Sequence, residues 1–241
     1  MKPLVTTNIS SIIKTSSNYV SKVYYNKDMY SNEIDILKIL DHKQIIKIHK
    51  TYIDEYNKGV IELKYYKDGD LLNYINKYVR KQDSEFTADK KQLMFTKLLS
   101  PFIYCHEQNV IHGDIKPENV VLDDTTPVLI DFGLSIYNSE FSNHKHNQVI
   151  NHPTQGTDIY MAPEVKDNLI GPCSDIFSLG VLLYQLFTNE RPYYNDTINL
   201  TESIIKENDI PIHIQTLLYD MLQQNYTIRP TIRDIYYYYN L

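Results

Sequence analysis

The periodicity of the sequence changes near residues 64–70, and this change constrains the fold more than any other feature. Before it, short apolar runs separated by polar turns predict strands at residues 9–14, 19–25, 45–53 and 60–66. After it, apolar residues recur at the three- and four-residue steps of helices that pack on a core. Residues 176–187 are apolar on nearly every side, which predicts a fully buried helix. We therefore expect an α+β fold with a small β-rich lobe followed by a larger helical lobe.

Capping residues and apolar spacing predict the other helices. Residues 31–40 form a predicted helix within the β-rich region, and Ser31 is a suitable N-cap. A further helix is expected over residues 71–78, and Thr87 is a suitable cap for a longer one. Pro101 interrupts the apolar stripe of that longer helix. It is expected to bend the helix or to free a backbone carbonyl.

Composition and charge exclude several classes of protein. The 241 residues are 42% hydrophobic and 22% charged, near the globular average, and no apolar run approaches the roughly 20 residues that span a bilayer. The net charge of −6 disfavours nucleic acid as a partner. The two cysteines, Cys105 and Cys173, are too few for a disulfide framework and wrongly spaced for a zinc site. We expect a soluble, cytoplasmic chain with no membrane span and with a ligand cleft between its lobes.

Two acidic residues follow short apolar runs, and their surroundings indicate phosphate chemistry. Asp114 and Asp131 are each expected at the end of a short buried strand, where a carboxylate needs a cation or hydrogen bonds. Asp131 and Asn119 offer the hard oxygen ligands that Mg²⁺ prefers. Asp114 lies near that metal site and is free to accept a proton, while Lys116 is suited to neutralise a transferring phosphoryl group. These four residues predict phosphoryl transfer.

Five blocks of this sequence resemble, in the same order, those of the eukaryotic-type protein kinase superfamily. The blocks are His112-x-Asp114-x-Lys116-x-x-Asn119, Asp131-Phe132-Gly133, Met161-Ala162-Pro163-Glu164, residues 174–181 and Arg229-Pro230. The similarity spans most of residues 60–241. It implies one two-lobed kinase domain over residues 1–241, with an N-lobe at 1–66, a hinge near 64–68 and a C-lobe at 69–241.

The resemblance implies the role of each residue in the catalytic region. Asp114 would be the catalytic base and Lys116 the contact of the γ-phosphate, while Asn119 and Asp131 would bind the metal. The implied co-substrate is ATP with Mg²⁺, and Mn²⁺ is the alternative ion. Lys116 together with Gly156-Thr157 resembles the serine/threonine-directed members of the family. The implied partner is therefore a protein that carries a serine or threonine.

The resemblance also implies contacts with the nucleotide. Lys22 would anchor the phosphates and pair with Glu33, and Lys27 or Lys14 are the alternatives for this lysine. Only eleven residues separate Lys22 from Glu33, so the helix that carries Glu33 is expected to lack its first turns. The remaining implied contacts of the nucleotide are Val20, Leu63, Tyr66, Val121 and, at the ribose, Asp70.

Two structural features are implied in the helical lobe. Asp175 would accept hydrogen bonds from backbone amides of the catalytic loop. Glu164 would form a buried ion pair with Arg229. Breaking one partner of such a pair commonly costs about 3–5 kcal/mol.

The sequence departs from the family pattern at two points. Residues 6–13 would cover the ATP phosphates but contain no glycine, so small hydroxyl residues are expected to form that turn, and weak nucleotide affinity is one consequence. Gly113 stands where the family commonly has the arginine that binds a phosphorylated loop residue, and residues 115–190 contain no arginine. We therefore expect activity that does not require phosphorylation of the loop.

Two alternatives to an active protein kinase remain at this point. The glycine-free turn favours a pseudokinase that acts by binding, but the four catalytic and metal-binding residues are all present. His112-Gly113-Asp114 also resembles the loop of kinases that phosphorylate antibiotics. Those enzymes lack the block from Thr157 to Glu164 that presents a peptide substrate, and this chain has it.

Overall fold

The N-terminal region is a five-stranded antiparallel sheet with one helix packed against it. The structure, a computed structural model, describes residues 3–81, 86–142, 148–190 and 210–238. The strands are β1 (Val5–Thr6), β2 (Ser10–Lys14), β3 (Tyr19–Tyr24), β4 (Ile48–Ile53) and β5 (Gly59–Lys64). Their order in the sheet is β1-β2-β3-β5-β4. The predicted β-rich region is confirmed, and β3 lies at the centre of the sheet.

The helix of this region, α1 (Lys27–Ile39), begins a full turn earlier than predicted. Its N-cap is Asn26, whose side chain accepts hydrogen bonds from the backbone amides of Asp28 and Met29. The prediction that Ser31 caps the helix is wrong, because Ser31 lies inside it. Six residues of α1 precede Glu33. That the helix is shorter at its start than in the family stays a prediction.

Two longer helices follow the sheet. They are α2 (Leu71–Lys81) and α3 (Ala88–Glu107), and the predicted cap of α3 is confirmed because Thr87 accepts a hydrogen bond from the amide of Lys90. Pro101 has no N–H, so it leaves the carbonyl of Lys97 without its helical donor. Gln44 Nε2 donates to that carbonyl at 2.9 Å and to the carbonyl of Pro127 at 3.1 Å. The freed carbonyl thus helps to attach the sheet region to the helical region.

The C-terminal region is mainly helical and also contains three short antiparallel strand pairs. The strand pairs are β6 (Val110–Ile111) with β9 (Ile136–Tyr137), β7 (Val120–Asp123) with β8 (Thr126–Leu129), and β10 (Ile150–Asn151) with β11 (Leu169–Ile170). The helices are α4 (Pro163–Lys166), α5 (Pro172–Thr188), α6 (Ile212–Met221) and α7 (Ile232–Tyr238). Helix α5 is buried along most of its length, as predicted.

Arg229 and Glu164 form the ion pair expected in the core of this region. Both side chains are buried, and two guanidinium nitrogens of Arg229 lie 2.7 and 2.8 Å from the two carboxylate oxygens of Glu164. The same guanidinium donates to the carbonyl of Cys173 at the start of α5. The pair therefore joins α4, α5 and the segment before α7. No helix in the described part of the chain has the length and apolar character that a bilayer crossing requires.

Candidate active site

Lys22 is the centre of a buried cluster between the sheet and the helical region. Strand β3 carries Lys22 and helix α1 carries Glu33, and Lys22 Nζ lies 2.8 Å from Glu33 Oε2. The same ammonium lies 2.7 Å from Asp131 Oδ1. Lys22 and Glu33 are buried, whereas the side chain of Asp131 is 40% exposed. One cation therefore connects the sheet, helix α1 and the loop that begins at Asp131.

The charges of this cluster determine which groups are ionised. Burial alone would lower the pKa of Lys22, but Glu33 and Asp131 outweigh it, so the pKa lies above its ordinary value. Burial raises the pKa of Glu33 despite the opposing effect of Lys22. Burial also opposes ionisation of Asp131, yet Lys22 outweighs it and lowers the pKa of that carboxyl. Near neutral pH, Lys22 is a cation and Asp131 presents a charged carboxylate.

The lysines that were alternatives to Lys22 lie elsewhere. Lys14 is exposed at the end of β2, and its Nζ lies 3.7 Å from the centroid of the Tyr65 ring. Lys27 is exposed at the first residue of α1. Of the three lysines, the structure brings Lys22 to the two carboxylates.

Asp175 on helix α5 binds the backbone of the loop that follows β6. Asp175 accepts hydrogen bonds from the amides of His112 at 2.9 Å and Gly113 at 3.1 Å, as the sequence predicted. The ring of His106 also lies within hydrogen-bond distance, with Nε2 3.0 Å from Asp175 Oδ2. Because α5 is buried along most of its length, it gives the loop a rigid support.

Gly113 has a steric reason to be glycine. Its φ angle is +78°, and a Cβ atom at this position would lie 2.8 Å from the carbonyl oxygen of Leu134. An arginine at this position would therefore have to displace the segment that follows Asp131. Glycine replaces the family's arginine at a position where the backbone of the catalytic loop lies close to the backbone of Leu134.

Asp114 is bound at both carboxylate oxygens. Its Oδ2 lies 2.6 Å from Lys116 Nζ and accepts a 3.0 Å hydrogen bond from Asn119 Nδ2. Its Oδ1 accepts a 2.8 Å bond from the hydroxyl of Thr157. Lys116 Nζ also lies 2.7 Å from that hydroxyl oxygen, which closes a ring of three side chains. The carboxylate therefore has a fixed orientation.

Asn119 and Asp131 offer oxygen atoms that fit a divalent cation. Asn119 Nδ2 donates to the backbone carbonyl of Asp114 at 2.9 Å and to its carboxylate, which uses the amide nitrogen and leaves Oδ1 as a ligand. Asp131 bonds to Lys22 through Oδ1, and its side chain is partly exposed. An amide oxygen and a carboxylate match the few protein ligands that Mg²⁺ uses beside phosphate and water.

The residues predicted to surround the nucleotide base come from the sheet, from the segment that follows β5 and from β7. Val20 in β3 pairs directly with Leu63 in β5; Leu63 is buried and Val20 half-buried. Tyr66 is half-buried beside the Lys64 ammonium, which lies 4.6 Å from its ring centroid. Val121 in β7 is half-buried as well. Their contact with a base stays a prediction.

Asp70 has a structural role in addition to the one predicted at the ribose. It forms an isolated β-bridge with Val121. Its Oδ1 accepts a 2.7 Å bond from the amide of Asn73, and its Oδ2 accepts a 2.8 Å bond from the Asn73 side chain. Asp70 therefore caps the start of α2, and a ribose would have to share these oxygens.

Thr7 forms the turn that lacks glycine. Its hydroxyl accepts hydrogen bonds from the amides of Ile9 at 3.2 Å and Ser10 at 3.1 Å, and it donates to the carbonyl of Ser10. The backbone amide of Thr7 donates to the same carbonyl at 2.9 Å. A hydroxyl side chain thus stabilises the β1–β2 turn, as the sequence suggested.

A family model described as the protein kinase domain matches residues 5–238 of this chain. The chain belongs to the protein kinase family. It is 32% identical over 205 residues to the SNF1-related protein kinase catalytic subunit alpha KIN12 of Arabidopsis thaliana, covering 83% of this chain and 39% of the relative. It is 34% identical over 209 residues to the carbon catabolite-derepressing protein kinase of Secale cereale, covering 83% and 39%. A third relative, the serine/threonine protein kinase OSK3 of Oryza sativa subsp. indica, is 32% identical over 212 residues, covering 84% and 39%. The chain spans less than half the length of these relatives.

The kinase site includes contacts that the sequence did not predict. The hydroxyl of Thr157 binds the carboxylate of Asp114, although the sequence marked Thr157 only as a residue typical of serine/threonine-directed members. Asn32 on α1 and Gln155 before Thr157 bind backbone carbonyls of the segment that follows Asp131. A residue's type and spacing give no signal for bonds to distant backbone carbonyls.

Proposed function

We propose that this kinase domain transfers the γ-phosphoryl group of ATP to a serine or threonine hydroxyl of a protein. The observation that carries the proposal is the Asp114 carboxylate, which Lys116, Asn119 and Thr157 bind at both oxygens. A carboxylate fixed in this way suits a catalytic base, and phosphoryl transfer depends mainly on positioning and charge neutralisation. Relatives whose names describe protein kinases support the same activity.

The proposed reaction uses the two charged clusters of the site. Asp114 accepts the proton of the attacking hydroxyl while that oxygen bonds to the γ-phosphorus. The bond from this phosphorus to the bridging oxygen breaks, and ADP leaves with the electron pair. Lys116, 2.6 Å from Asp114, neutralises charge on the transferring group. Lys22, held by Glu33 and Asp131, anchors the remaining phosphates.

Asn119 and Asp131 would hold the divalent cation. We take Mg²⁺ as this ion, with Mn²⁺ as the alternative, because the available ligands are an amide oxygen and a carboxylate. When bound, the ion neutralises charge on the phosphates of ATP. Val20, Leu63, Tyr66 and Val121 would form the apolar walls around the base, and Asp70 would contact the ribose.

The proposed acceptor is a serine or threonine because of the residues beside the catalytic base. Lys116 and Thr157 are the residue types found in serine/threonine-directed kinases, and here their side chains lie 2.7 Å apart. The name of the Oryza sativa relative supports this acceptor class.

A cytoplasmic location is part of the same proposal. Both cysteines, Cys105 and Cys173, are free and buried, as is usual in a reducing compartment. The co-substrate ATP is abundant there. Fractionation of cells that express a tagged chain tests this location.

Nucleotide binding is tested by thermal unfolding with ATP and a divalent ion. At a hundredfold excess of ATP over its Kd, the free energy of unfolding should rise by about 2.7 kcal/mol. The increase should require Mg²⁺ or Mn²⁺, and comparing the two identifies the preferred ion. The control variant Asn57→Asp, in the exposed β4–β5 turn, should respond like the wild type. No response to ATP at any ion concentration would contradict the nucleotide site.

Phosphoryl transfer is tested with γ-labelled ATP and a protein substrate rich in serine and threonine. Label should appear on phosphoserine or phosphothreonine after acid hydrolysis. Label on phosphotyrosine would contradict the proposed acceptor class. Label on an aminoglycoside but not on protein would assign the domain to small-molecule phosphotransferases instead.

A further inference from the structure

The segment that follows Asp131-Phe132 is bound from two sides by uncharged side chains. Asn32 Nδ2, on helix α1, donates to the carbonyls of Gly133 at 3.1 Å and Ser135 at 2.9 Å. Gln155 Nε2 donates to the carbonyl of Leu134 at 3.1 Å. Three consecutive carbonyls are thus each bound by a carboxamide. We call Asn32 and Gln155 together the amide clamp.

The amide clamp connects the two charged clusters of the site. Asn32 directly precedes Glu33, which binds Lys22, so the bonds of Asn32 fix the turn of α1 that carries the partner of the proposed phosphate anchor. Gln155 lies two residues before Thr157, which binds the catalytic base. Between them, the buried Ser135 donates from its hydroxyl to the carbonyl of His112 at 2.9 Å. The clamped segment therefore contacts α1, the catalytic loop and the segment of Thr157.

A carbonyl that the clamp binds leaves no room for a side chain at Gly113, where the family commonly has its phosphate-binding arginine. A Cβ atom on Gly113 would lie 2.8 Å from the Leu134 carbonyl, which is the carbonyl that Gln155 binds. A Cβ atom on Gly156 would lie 3.0 Å from the carbonyl of Gly113. The backbone at Gly113 thus lies against the carbonyl that Gln155 binds, and the backbone at Gly156, next to Gln155, lies against Gly113. The clamp bonds join neutral amides to carbonyls, so they do not depend on a phosphate.

We propose that Asn32 and Gln155 are positioning residues that assemble the active arrangement of this kinase without phosphorylation of its loop. This inference rests on the proposed function. Asn32 acts through the Lys22–Glu33 pair and so determines how ATP is held. Gln155 acts through Thr157 and so determines how the catalytic base is held.

The test uses two apolar variants that remove the donor: Asn32→Leu, which keeps the side-chain size, and Gln155→Leu, which shortens the side chain by one carbon. Asn32→Leu should raise the KM for ATP and lower kcat/KM about tenfold or more, because two hydrogen bonds are lost. Gln155→Leu should lower kcat about threefold or more with an unchanged KM for ATP. The exposed Asn57→Asp is the control and should keep both constants. Equal effects of both variants on KM and kcat would contradict the separate roles and overturn the proposal.

A second measurement separates positioning from a general loss of stability. Amide hydrogen exchange over residues 131–137 should accelerate in Asn32→Leu and in Gln155→Leu, while exchange in the buried helix α5 stays at the wild-type rate. Because both residues hold one segment, the effects of the double variant should not be additive. Unchanged exchange over residues 131–137 in both variants would overturn the amide clamp.

Independence from phosphorylation is tested by phosphatase treatment of the wild type. Treated and untreated protein should transfer phosphate at the same rate, and a large loss after treatment would overturn the proposal. If the wild type transfers no phosphate under any condition, the proposed function fails. The exchange measurement then decides the amide clamp alone.

Discussion

Thr157 Oγ1 donates a 2.8 Å hydrogen bond to Oδ1 of Asp114, across 43 residues of sequence. The contact ties the segment that precedes Met161-Ala162-Pro163-Glu164 to the catalytic loop. It also gives Asp114 a partner at the oxygen that neither Lys116 nor Asn119 binds. The orientation of the proposed base therefore depends on a residue that is distant from it in the sequence.

Replacing Thr157 by valine removes this hydroxyl at nearly constant size. We expect kcat to fall about 10- to 100-fold, because a hydrogen bond to a charged group contributes roughly 1.5–3 kcal/mol. The KM for ATP should not change, since Lys22 and its partners are untouched. Thr157→Ser keeps the hydroxyl and should keep most of the activity. Wild-type kcat in Thr157→Val would show that the carboxylate keeps its orientation without this bond.

Replacing Lys22 by methionine leaves the buried Glu33 and the nearby Asp131 without their shared cation. The free energy of unfolding in urea should fall by about 3–5 kcal/mol, and stabilisation by ATP should be lost. The double variant Lys22→Met/Glu33→Leu should recover much of the stability, because removing both partners of a buried pair is often nearly neutral. It should not recover phosphoryl transfer. Equal stability of the single and double variants would contradict this view of the cluster.

Two arginine–glutamate ion pairs, one buried and one exposed, allow the contribution of burial to be tested. Arg229 is fully buried against Glu164, whereas Arg233 contacts Glu107 at the surface, with side-chain exposures of 55% and 40%. Arg229→Ala should lower the free energy of unfolding by about 3–5 kcal/mol. Arg233→Ala should change it by no more than about 1 kcal/mol. Similar losses in the two variants would mean that burial does not govern the contribution of these pairs.

The two cysteines report on the fold through their ionisation. Burial raises the pKa of Cys173 to about 12, with a further contribution from the Glu164 carboxylate, and burial also raises the pKa of Cys105. Neither thiol should react with a disulfide reagent at pH 8 until the protein unfolds. The unfolded thiol of Cys173 ionises near its ordinary value of 9.0. Its stabilising effect is therefore complete below that pH and is lost as the pH rises towards 12. Rapid labelling of the native protein at pH 8 would contradict the burial of both thiols.

The sequence predicted the elements that depend on local pattern. Helix α5 was evident because nearly every residue between 176 and 187 is apolar, and the freed carbonyl at Lys97 follows from Pro101 alone. The start of α1 was misplaced because Asn26 and Ser31 are both good N-caps. The structure selects Asn26, whose side chain binds two amides of the first turn.

Hydrogen bonds from side chains to distant backbone carbonyls could not be predicted from the sequence. The four residues of the catalytic and metal-binding blocks have fixed spacing, so their type and order predict their chemistry. Asn32 and Gln155 bind the carbonyls of Gly133, Leu134 and Ser135, and a carbonyl is the same in every residue. Such bonds depend on how the chain folds back on itself. Nothing in the composition of the partner segment indicates them.

The substitution Asp114→Asn tests the central claim most directly. An asparagine at this position keeps the size of the side chain and an acceptor for Thr157, but it cannot take a proton from the attacking hydroxyl. ATP with Mg²⁺ should raise the unfolding temperature of the variant as it does that of the wild type. Transfer of labelled phosphate to protein serine or threonine should fall about a hundredfold or more. Transfer at the wild-type rate by Asp114→Asn would contradict the assignment of Asp114 as the catalytic base.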